Sequence, residues 1–470
     1  MSPRDEPDAR PPARRNNGMG SRTQRGADLA RLSASTGAGY LAARLRGVRE
    51  GDEAEAAFHA ATAQKMVELL GSMKGAAMKL GQIASFVDLD LPDEVADTYR
   101  EVLASLRDDA PAADPEAIAQ VLADEYGAPA EQVFASFDPE PIAAASIGQV
   151  HRATLPDGSD VVVKVQYPGV AEAIEADLAN AELFAPLGRM IAPNLELAPL
   201  LSELRDRLLD ELDYQREAQY QEAFAVRYDG HPFIRVPKVH RAWCRPRVIV
   251  SERIVGADFD AMLHDSTPAE QRRYGEIIYR FVWGSLFRFR IFNGDPHPGN
   301  YLFPGDGSVA FLDFGSVKTF STAARATLRS VLEATIADDA EQLVAVLDAA
   351  GFIPAEARYD PAVLLRWART LYEPLLTDTE WTFTSEYARG VLATETDPRS
   401  EYIAGLRHLN LPAEYLLLHR IQWGVNSILG RLGARANWQR VTAELWGAQP
   451  PATELGEAEA AFIAASPYAD

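Results

Sequence analysis

Apolar side chains in the first quarter of the chain recur at steps of three and four residues, the period of an amphipathic helix. Between residues 56 and 106 the recurring positions are Phe58, Met66, Leu69, Leu70, Met73, Ala77 and Leu80. Residues 1–30 lack this period and mix proline, arginine and small polar residues, which is typical of a disordered segment. We therefore expect a disordered basic arm over residues 1–30 and an N-terminal helical extension over residues 31–110.

The pattern changes after residue 135, where helical periodicity over residues 111–135 gives way to small and β-branched side chains. Residues 141–153 are small and turn-prone, and residues 160–166 read Asp-Val-Val-Val-Lys-Val-Gln. Pro156-Asp157-Gly158 lies between these segments and is a hairpin turn signal. The pattern predicts two antiparallel strands with a flexible connector.

The remaining chain is mostly helical, with a few short strands. Periodicity predicts helices over residues 170–224 and 268–288, with short strands near Val236 and over residues 247–252. Residues 322–470 are again helical, with breaks near Gly351, Pro374 and Pro412.

This order of elements predicts an α+β fold of two lobes. The core spans residues 111–330, with a first lobe over about 111–255 and the start of a second lobe over about 256–330. Residues 331–470 complete the second lobe and form a helical C-terminal extension.

Composition narrows the classes of function. A formal net charge of −22 over 470 residues opposes binding to nucleic acid, which needs a dense basic surface. The single cysteine, Cys244, excludes an internal disulfide and fits a reducing cytosolic compartment, where we expect a packed and inert thiol. No apolar run reaches the roughly 18 residues of a membrane-spanning helix. We expect a soluble cytoplasmic protein.

The strongest chemical pattern joins Asp295 and Asn300, five residues apart, with Asp313-Phe314-Gly315 after a short hairpin. Phosphoryl transfer needs one carboxylate to position the attacking hydroxyl, and an amide oxygen with a second carboxylate to hold Mg²⁺ across the nucleotide phosphates. A pair of Asx turns would give the same residues without the chemistry. Their order, each group beside a strand candidate, favours the kinase interpretation.

An alanine-rich loop precedes these residues and matches the frame of a glycine-rich phosphate loop, with alanine at the first two glycine positions. Its candidate nucleotide-binding positions are Ala143, Ala144, Ala145, Ser146, Gly148 and Val150. The alanine methyl groups restrict the backbone and crowd phosphate oxygens, so nucleotide selectivity should differ from that of an ordinary kinase. The alternative is a tight hairpin without a ligand.

Lys164 lies in the valine-rich strand that follows this loop and is a candidate phosphate contact. It needs an acidic partner, and Glu211, Asp213 and Glu217 lie close together on a charged helical run. The alternatives are a lysine that points to solvent from an edge strand and an acidic run that is only a solvated helix face.

Three sequence elements resemble those of the UbiB/AarF family of atypical kinase-like proteins, and the resemblance extends over about residues 60–320. They are Lys79-Leu80-Gly81-Gln82, which matches the family's Lys-x-Gly-Gln element, the alanine-rich loop, and Glu211-Leu212-Asp213, which matches its Glu-x-Asp element. The resemblance implies a two-lobed protein-kinase-like fold with a family-specific N-terminal helical extension.

The resemblance also implies roles for single residues. Lys164 contacts phosphates and pairs with Glu217, while Lys79 reaches into the site toward Glu211 and Asp213. Gln82, Glu211 and Asp213 are implied to contribute to cofactor binding. Asp295 is the catalytic carboxylate, and Asn300 and Asp313 bind Mg²⁺. Asn293 and Gly294 replace the histidine and arginine that precede this aspartate in ordinary protein kinases.

The implied function is an atypical kinase or ATPase that binds ATP or ADP with Mg²⁺ and supports isoprenoid quinone or lipid metabolism. The segment that carries Lys79 would cover the peptide site of a protein kinase, so a small lipid or quinone-precursor ligand is expected rather than a protein substrate. Peripheral contact with the inner face of a membrane would use the arm or the helix over residues 416–432, for which core packing is the favoured use.

Two other functions stay open. Gly294-Asp295-Pro296-His297-Pro298-Gly299-Asn300 fits the catalytic loop of small-molecule kinases that resemble aminoglycoside phosphotransferases equally well, although Lys79–Gln82 and the alanine-rich loop argue against them. A non-catalytic nucleotide-binding scaffold would use the same residues without turnover.

Overall fold

A computed structural model describes residues 113–172 apart from Ser146, residues 211–354, 360–396, 400–402 and 415–468, and the isolated positions 174, 406, 409, 410 and 412. Lys79 and Gln82, with the predicted arm and N-terminal extension, lie outside the described residues.

The first lobe contains an antiparallel sheet of four strands in the order β1-β2-β3-β5. Its strands are β1 (Ser136–Ala144), β2 (Gly148–Thr154), β3 (Asp160–Gln166) and β5 (Val248–Glu252), with helices α1 (Pro115–Tyr126) and α2 (Ala130–Val133) preceding them. Because side chains alternate across a strand, Val161, Val163 and Val165 pack with α1 in one apolar cluster, and Lys164 lies on the opposite face.

The predicted hairpin is present, but the number of strands was underestimated. Gly158 has φ of +89°, a left-handed conformation that suits glycine in the turn between β2 and β3. Residues 136–144, of which we had assigned only 141–144, to a turn-prone segment, form β1 instead. This strand contains Pro139 and Pro141 and lies at the exposed edge of the sheet, where prolines are tolerated.

Helix α3 (Tyr214–Arg227) packs against β5 and begins at a defined cap. The Asp213 side chain accepts a hydrogen bond from the Arg216 backbone N–H at 3.0 Å. The helix predicted to run through residue 213 without interruption is therefore broken there, because the capping residue leaves the helical conformation.

The second lobe surrounds one long helix, α5 (Pro268–Phe289), which matches the predicted helix over residues 268–288. Thr267 and Glu270 form a capping box at its start. Short strands carry the loops of chemical interest: β4 (Ile234–Arg235), β6 (Ile291–Asn293), β7 (Tyr301–Leu302), β8 (Val309–Phe311) and β9 (Val317–Thr319). Strand β6 pairs with β9, and β8 pairs with both β4 and β7.

Helices complete this lobe. They are α4 (Phe259–Asp265), α6 (Thr322–Ile336), α7 (Ala340–Ala349), α8 (Pro361–Leu371), α9 (Ser385–Thr396), α10 (Leu416–Leu432), α11 (Trp438–Leu445) and α12 (Glu454–Ala465). Strands β10 (Trp381–Thr382) and β11 (Arg435–Ala436) pair within this region, which we predicted to be helical apart from breaks near Gly351, Pro374 and Pro412. Helix α10 buries Ile421, Val425 and Leu429 in the main core, so core packing is its observed use. None of the helices among the described residues combines the length and apolar character needed to cross a bilayer.

Candidate functional site

Lys164 is held by two carboxylates beneath the sheet. Its Nζ donates to Glu217 Oε1 at 2.6 Å and lies 3.5 Å from Asp313 Oδ2. The Glu217 side chain is 4% exposed, and the Lys164 ammonium stands 5.1 Å from the centre of the Tyr214 ring. Strand β3 is paired on both sides, so the interpretation of Lys164 as a solvent-facing edge-strand residue is wrong.

Electrostatics keep this lysine charged. Burial alone would lower the pKa of Lys164, but the nearby carboxylates of Asp313 and Glu217 outweigh burial and hold that pKa well above its usual range. Two carboxylates thus face one ammonium group. Burial raises the pKa of Glu217 to about 7, so Asp313, the more exposed carboxylate, is the one placed to face a cation.

Asn293 links the two loops that carry the predicted catalytic residues. Its Nδ2 donates to the Asp313 backbone carbonyl at 2.6 Å, and its Oδ1 accepts from the Asp295 N–H at 3.2 Å. Sequence reasoning noted Asn293 only as a departure from ordinary kinases and missed this bridging role. The one available signal was an asparagine two residues before the aspartate, the spacing of an Asx turn.

The loop after Asp295 is shaped by its own side chains. Asn300 Nδ2 donates to the Asp295 backbone carbonyl at 3.3 Å, and His297 Nδ1 accepts from the Gly299 N–H at 3.1 Å. The His297 contact gives this side chain a role in shaping the loop. Mg²⁺ takes oxygen ligands, so Oδ1 is the atom of the Asn300 amide that is suited to a metal ion.

Gly294 explains why no arginine precedes Asp295. A Cβ at this position would lie 2.8 Å from the Ser316 carbonyl oxygen and 2.9 Å from its Oγ. Any side chain would overlap Ser316, so the close contact between the two loops requires glycine here.

Asp313 and Phe314 connect the loop after β8 to helix α3. Asp313 Oδ1 accepts from the Gly315 N–H at 2.9 Å, while Oδ2 faces Lys164. Phe314 is fully buried, with its ring centre 4.9 Å from that of Phe224. Helix α3 therefore carries Glu217 and also packs against the residue next to Asp313.

The alanine-rich loop is the tight turn between β1 and β2. Ala143 pairs with Val150, Ala144 pairs with Gln149, and the Ala145 N–H donates to the Gly148 carbonyl at 2.8 Å. Val150 in turn lies opposite Lys164 in the sheet. Ser146 lies outside the described residues.

Gly148, the one position of the glycine-rich loop pattern that is still glycine, is required for steric reasons. A Cβ on Gly148 would lie 2.3 Å from the Val165 carbonyl oxygen and 2.7 Å from the Tyr214 hydroxyl oxygen. The chain cannot pass β3 at this distance with any side chain at residue 148.

Two buried residues after this glycine were not predicted to matter. Gln149 Oε1 accepts from the Ala113 N–H at 2.9 Å, and its Nε2 lies 3.0 Å from His151 Nε2. His151 Nδ1 lies 2.9 Å from the Asp138 carbonyl oxygen, and burial lowers the pKa of this histidine. These contacts tie the loop to the start of α1.

The two acidic residues predicted to contact Lys79 lie in different local environments. Glu211 lies in a helical turn just before Asp213, and Asp213 uses its carboxylate to cap α3. Lys79 and Gln82 lie outside the described residues, so their contact with Glu211 and Asp213 stays a prediction.

The donor set suits Mg²⁺. Carboxylate and amide oxygens are its preferred protein ligands, and it usually takes one or two carboxylates with substrate phosphates completing the shell. Asp313 Oδ2 and Asn300 Oδ1 provide such oxygens on loops that Asn293 joins. These residues fit the cation that a kinase-like site requires.

Comparison with known proteins decides the family. Residues 105–347 match the ABC1 atypical kinase-like domain. The chain belongs to the ABC1 atypical kinase-like family. This confirms the resemblance to the UbiB/AarF group that the sequence motifs carried.

Curated relatives come from bacteria and from eukaryotic organelles. The chain is 32% identical to "Probable protein kinase UbiB" of Azotobacter vinelandii over 311 residues, which cover 63% of this chain and 56% of that protein. It is 34% identical to "Atypical kinase COQ8B, mitochondrial" of Rattus norvegicus over 263 residues, 56% of this chain and 49% of that protein. The chain thus spans about half the length of the curated relatives it matches.

A solved structure shares the fold. Rv3197 of Mycobacterium tuberculosis, in complex with erythromycin, aligns with a TM-score of 0.61 and 29% identity, covering 85% of this chain and 100% of that one. The expected α+β, kinase-like fold is confirmed.

Proposed function

We propose that the chain binds ATP with Mg²⁺ and catalyses phosphoryl transfer, to water or to a small acceptor. The observation that carries this proposal is the contact of Lys164 with Glu217 at 2.6 Å and with Asp313 at 3.5 Å. The contact joins the sheet, α3 and the Asp313 loop in the arrangement that kinase-type phosphoryl transfer uses.

Each side chain then has one task. Lys164 contacts the nucleotide phosphates, and the loop over Ala143–Ala145 with Ser146, Gly148 and Val150 lies along the nucleotide. Asn300 and Asp313 hold Mg²⁺, which neutralises charge on the phosphates when bound. Asp295 orients the attacking hydroxyl group and takes its proton as the bond from the γ-phosphorus to the leaving oxygen breaks.

A small lipid-like or quinone-precursor acceptor is the preferred substrate class. The names of the relatives describe kinases, and the resemblance to the UbiB group supports a role in isoprenoid quinone or lipid metabolism. The erythromycin complex of Rv3197 supports a small-molecule ligand over a protein and keeps small-molecule phosphotransfer as the alternative. We place the protein in the cytoplasm, with peripheral contact to the inner face of the membrane.

Phosphate release from ATP by the purified chain tests the proposal, with and without Mg²⁺, anionic liposomes, a phenolic quinone precursor or erythromycin. Asp295→Asn is the control, because the amide keeps the shape of the loop but cannot take a proton. Turnover that needs Mg²⁺ and is lost in the control supports the enzyme. Measurable nucleotide binding without turnover in any arm would overturn it in favour of a nucleotide-binding scaffold.

A further inference from the structure

Two buried polar side chains, Gln149 and His151, lie behind the alanine-rich loop, on the face of the sheet opposite Lys164. Both are fully buried, and in the register of β2 against β3 they stand opposite two of the valines that pack on α1. Lys164 and its cross-strand partner Val150 occupy the other face. The Gln149–His151 pair therefore acts on the nucleotide side of the sheet only through the backbone of β1 and β2.

Backbone groups at both ends fix the direction of the hydrogen bonds through this pair. The Ala113 N–H can only donate, so the Gln149 oxygen accepts from it at 2.9 Å, and Gln149 Nε2 donates to His151 Nε2 at 3.0 Å. The Asp138 carbonyl can only accept, so His151 Nδ1 carries the ring proton and donates at 2.9 Å. Both ends require the same neutral histidine, with a proton on Nδ1 and none on Nε2.

Strand β1 depends on the histidine because its own pairing with β2 is irregular. The register shifts between Phe137 and Pro141 and again between Pro141 and Ala143. Pro139 and Pro141 also have no N–H to donate. The Phe137 ring stacks on the His151 ring, with the two centres 5.0 Å apart. His151 thus holds the irregular part of the strand that continues into Ala143 and the loop.

We propose that Gln149 and His151 are positioning residues for the alanine-rich loop, which keeps its nucleotide-binding geometry only while His151 is neutral. A proton added to Nε2 would face the Gln149 Nε2 donor. Rotation of the Gln149 amide would satisfy the histidine but turn its NH₂ group toward the Ala113 N–H, so one buried hydrogen bond is lost in either arrangement. The effect on nucleotide affinity rests on the proposed function, whereas the effect on the loop does not.

The charged groups that act on the ring lie on β1. The Asp138 and Glu140 carboxylates favour the protonated ring, whereas β3 places Val163 beside it and α1 adds apolar side chains to the same cluster. Burial outweighs the two carboxylates and lowers the pKa of His151 from 6.5. The loop should therefore hold its geometry at neutral pH and loosen as the pH falls below 6.5.

Nitrogen NMR and hydrogen exchange of the full chain, both without nucleotide, test this role. At about pH 7.5 we expect His151 to carry a proton on Nδ1 and none on Nε2. The Ala145 N–H, which donates to the Gly148 carbonyl across the loop, reports the loop geometry. Its exchange, corrected for the intrinsic effect of pH, should be about tenfold faster at about pH 5 than at about pH 7.5.

Two variants of similar shape distinguish this role from simple packing. Gln149→Glu can accept at both positions, so His151 should keep protons on both ring nitrogens at neutral pH, and Ala145 exchange should become faster as the pH rises. His151→Asn keeps a donor for the Asp138 carbonyl and cannot titrate, so the corrected exchange should not depend on pH. The same variant assigns the His151 signals by their loss.

Affinity for MgADP, measured by isothermal titration relative to His151→Asn, should follow the loop. It should be about tenfold weaker at about pH 5 than at about pH 7.5 in the wild-type chain, with the opposite trend in Gln149→Glu. A wild-type chain that binds no MgADP would contradict the proposed function, while exchange at Ala145 would still decide the positioning role. A proton on Nε2 in the wild-type chain at neutral pH, the same pH dependence of exchange in His151→Asn, or the same direction of change in Gln149→Glu would each overturn the inference.

Discussion

A buried ionic cluster attaches the last helix to the second lobe, and Glu459→Gln tests its contribution to stability. Arg280, which is fully buried, donates to Glu276 at 2.7 Å, to Glu444 at 2.7 Å and to Glu459 at 2.9 Å. Glu459 also lies 2.7 Å from Arg288. Two arginines from α5 thereby hold α11 and α12 in place.

The neighbouring histidine completes the cluster. His231 Nδ1 accepts from the Phe233 and Ile234 N–H groups at 3.3 Å and 3.0 Å, which places the ring proton on Nε2. Nε2–H therefore donates to Glu459 Oε1 at 3.3 Å. Burial lowers the pKa of His231, so the ring is neutral near pH 7.

The size of the effect follows from the pKa of Glu459. Burial alone would raise it, but His231, Arg288 and Arg280 outweigh burial and lower the pKa from 4.5 to about 2. A carboxyl group with a depressed folded-state pKa stabilises the fold above its unfolded pKa, and this contribution is lost as the pH falls from 4.5 toward 2. The difference corresponds to about 3 kcal/mol at pH 7.

Glu459→Gln should therefore lower the free energy of unfolding by about 3 kcal/mol at pH 7, with less loss at pH 3. Urea unfolding at both pH values measures this, and hydrogen exchange of α12 reports local undocking. Glu457→Gln, an exposed position on the same helix, removes the same charge without the buried contacts and should change stability by under about 1 kcal/mol. Equal losses in the two variants at pH 7 would refute the reasoning.

Three further predictions concern the site. Gly424→Ala should push the loop that carries Asp295 by up to about 1 Å, because its Cβ would lie 2.7 Å from Pro296 Cγ, and should lower ATP turnover by about 100-fold. Gly390→Ala is the control: this helix glycine has open space around it, so the variant should keep its activity and gain about 1 kcal/mol of stability. Similar turnover in the two variants would contradict the prediction. Asp313→Asn should abolish Mg²⁺-dependent nucleotide binding in a thermal-shift titration with the fold intact, so an unchanged metal dependence counts against a metal ligand here. Ala145→Gly should change the ratio of ADP to ATP affinity, since it frees the loop backbone, and an identical ratio would rule that out.

The local environment of Lys164 was predictable from the alternation of side chains, whereas its pairing with Glu217, which the structure confirms, came from the family resemblance and not from spacing. Alternation in β3 places the valines at 161, 163 and 165 on one face and Lys164 on the other. Spacing alone left Glu211, Asp213 and Glu217 as candidates. The choice depends on the cap at Asp213, which begins α3 and leaves Glu217 one turn inside the helix, facing β3. The cap is a local hydrogen bond between Asp213 and the Arg216 N–H, and helical periodicity alone does not show it.

Long-range features were missed for a different reason. Arg280 contacts partners 164 and 179 residues away in the chain, so no local pattern connects them.

Strand β1 was missed because its two prolines argue for a turn, although an edge strand that needs few ladder bonds accepts them. The two-residue strands β10 and β11 are too short to show any alternation.

The family domain ends at residue 347, yet the helices beyond that residue complete the second lobe. Gly424 on α10 contacts Pro296, one residue after the proposed catalytic carboxylate, and a helix that lacked this glycine could not approach the loop so closely. Glu444 and Glu459 neutralise Arg280, a buried charge of α5 that would otherwise have only Glu276 as a carboxylate partner among the described residues. Helix α10 therefore packs against the loop that carries Asp295, and α11 and α12 supply carboxylates to the central helix α5, so these C-terminal helices belong to the same structural unit as that loop.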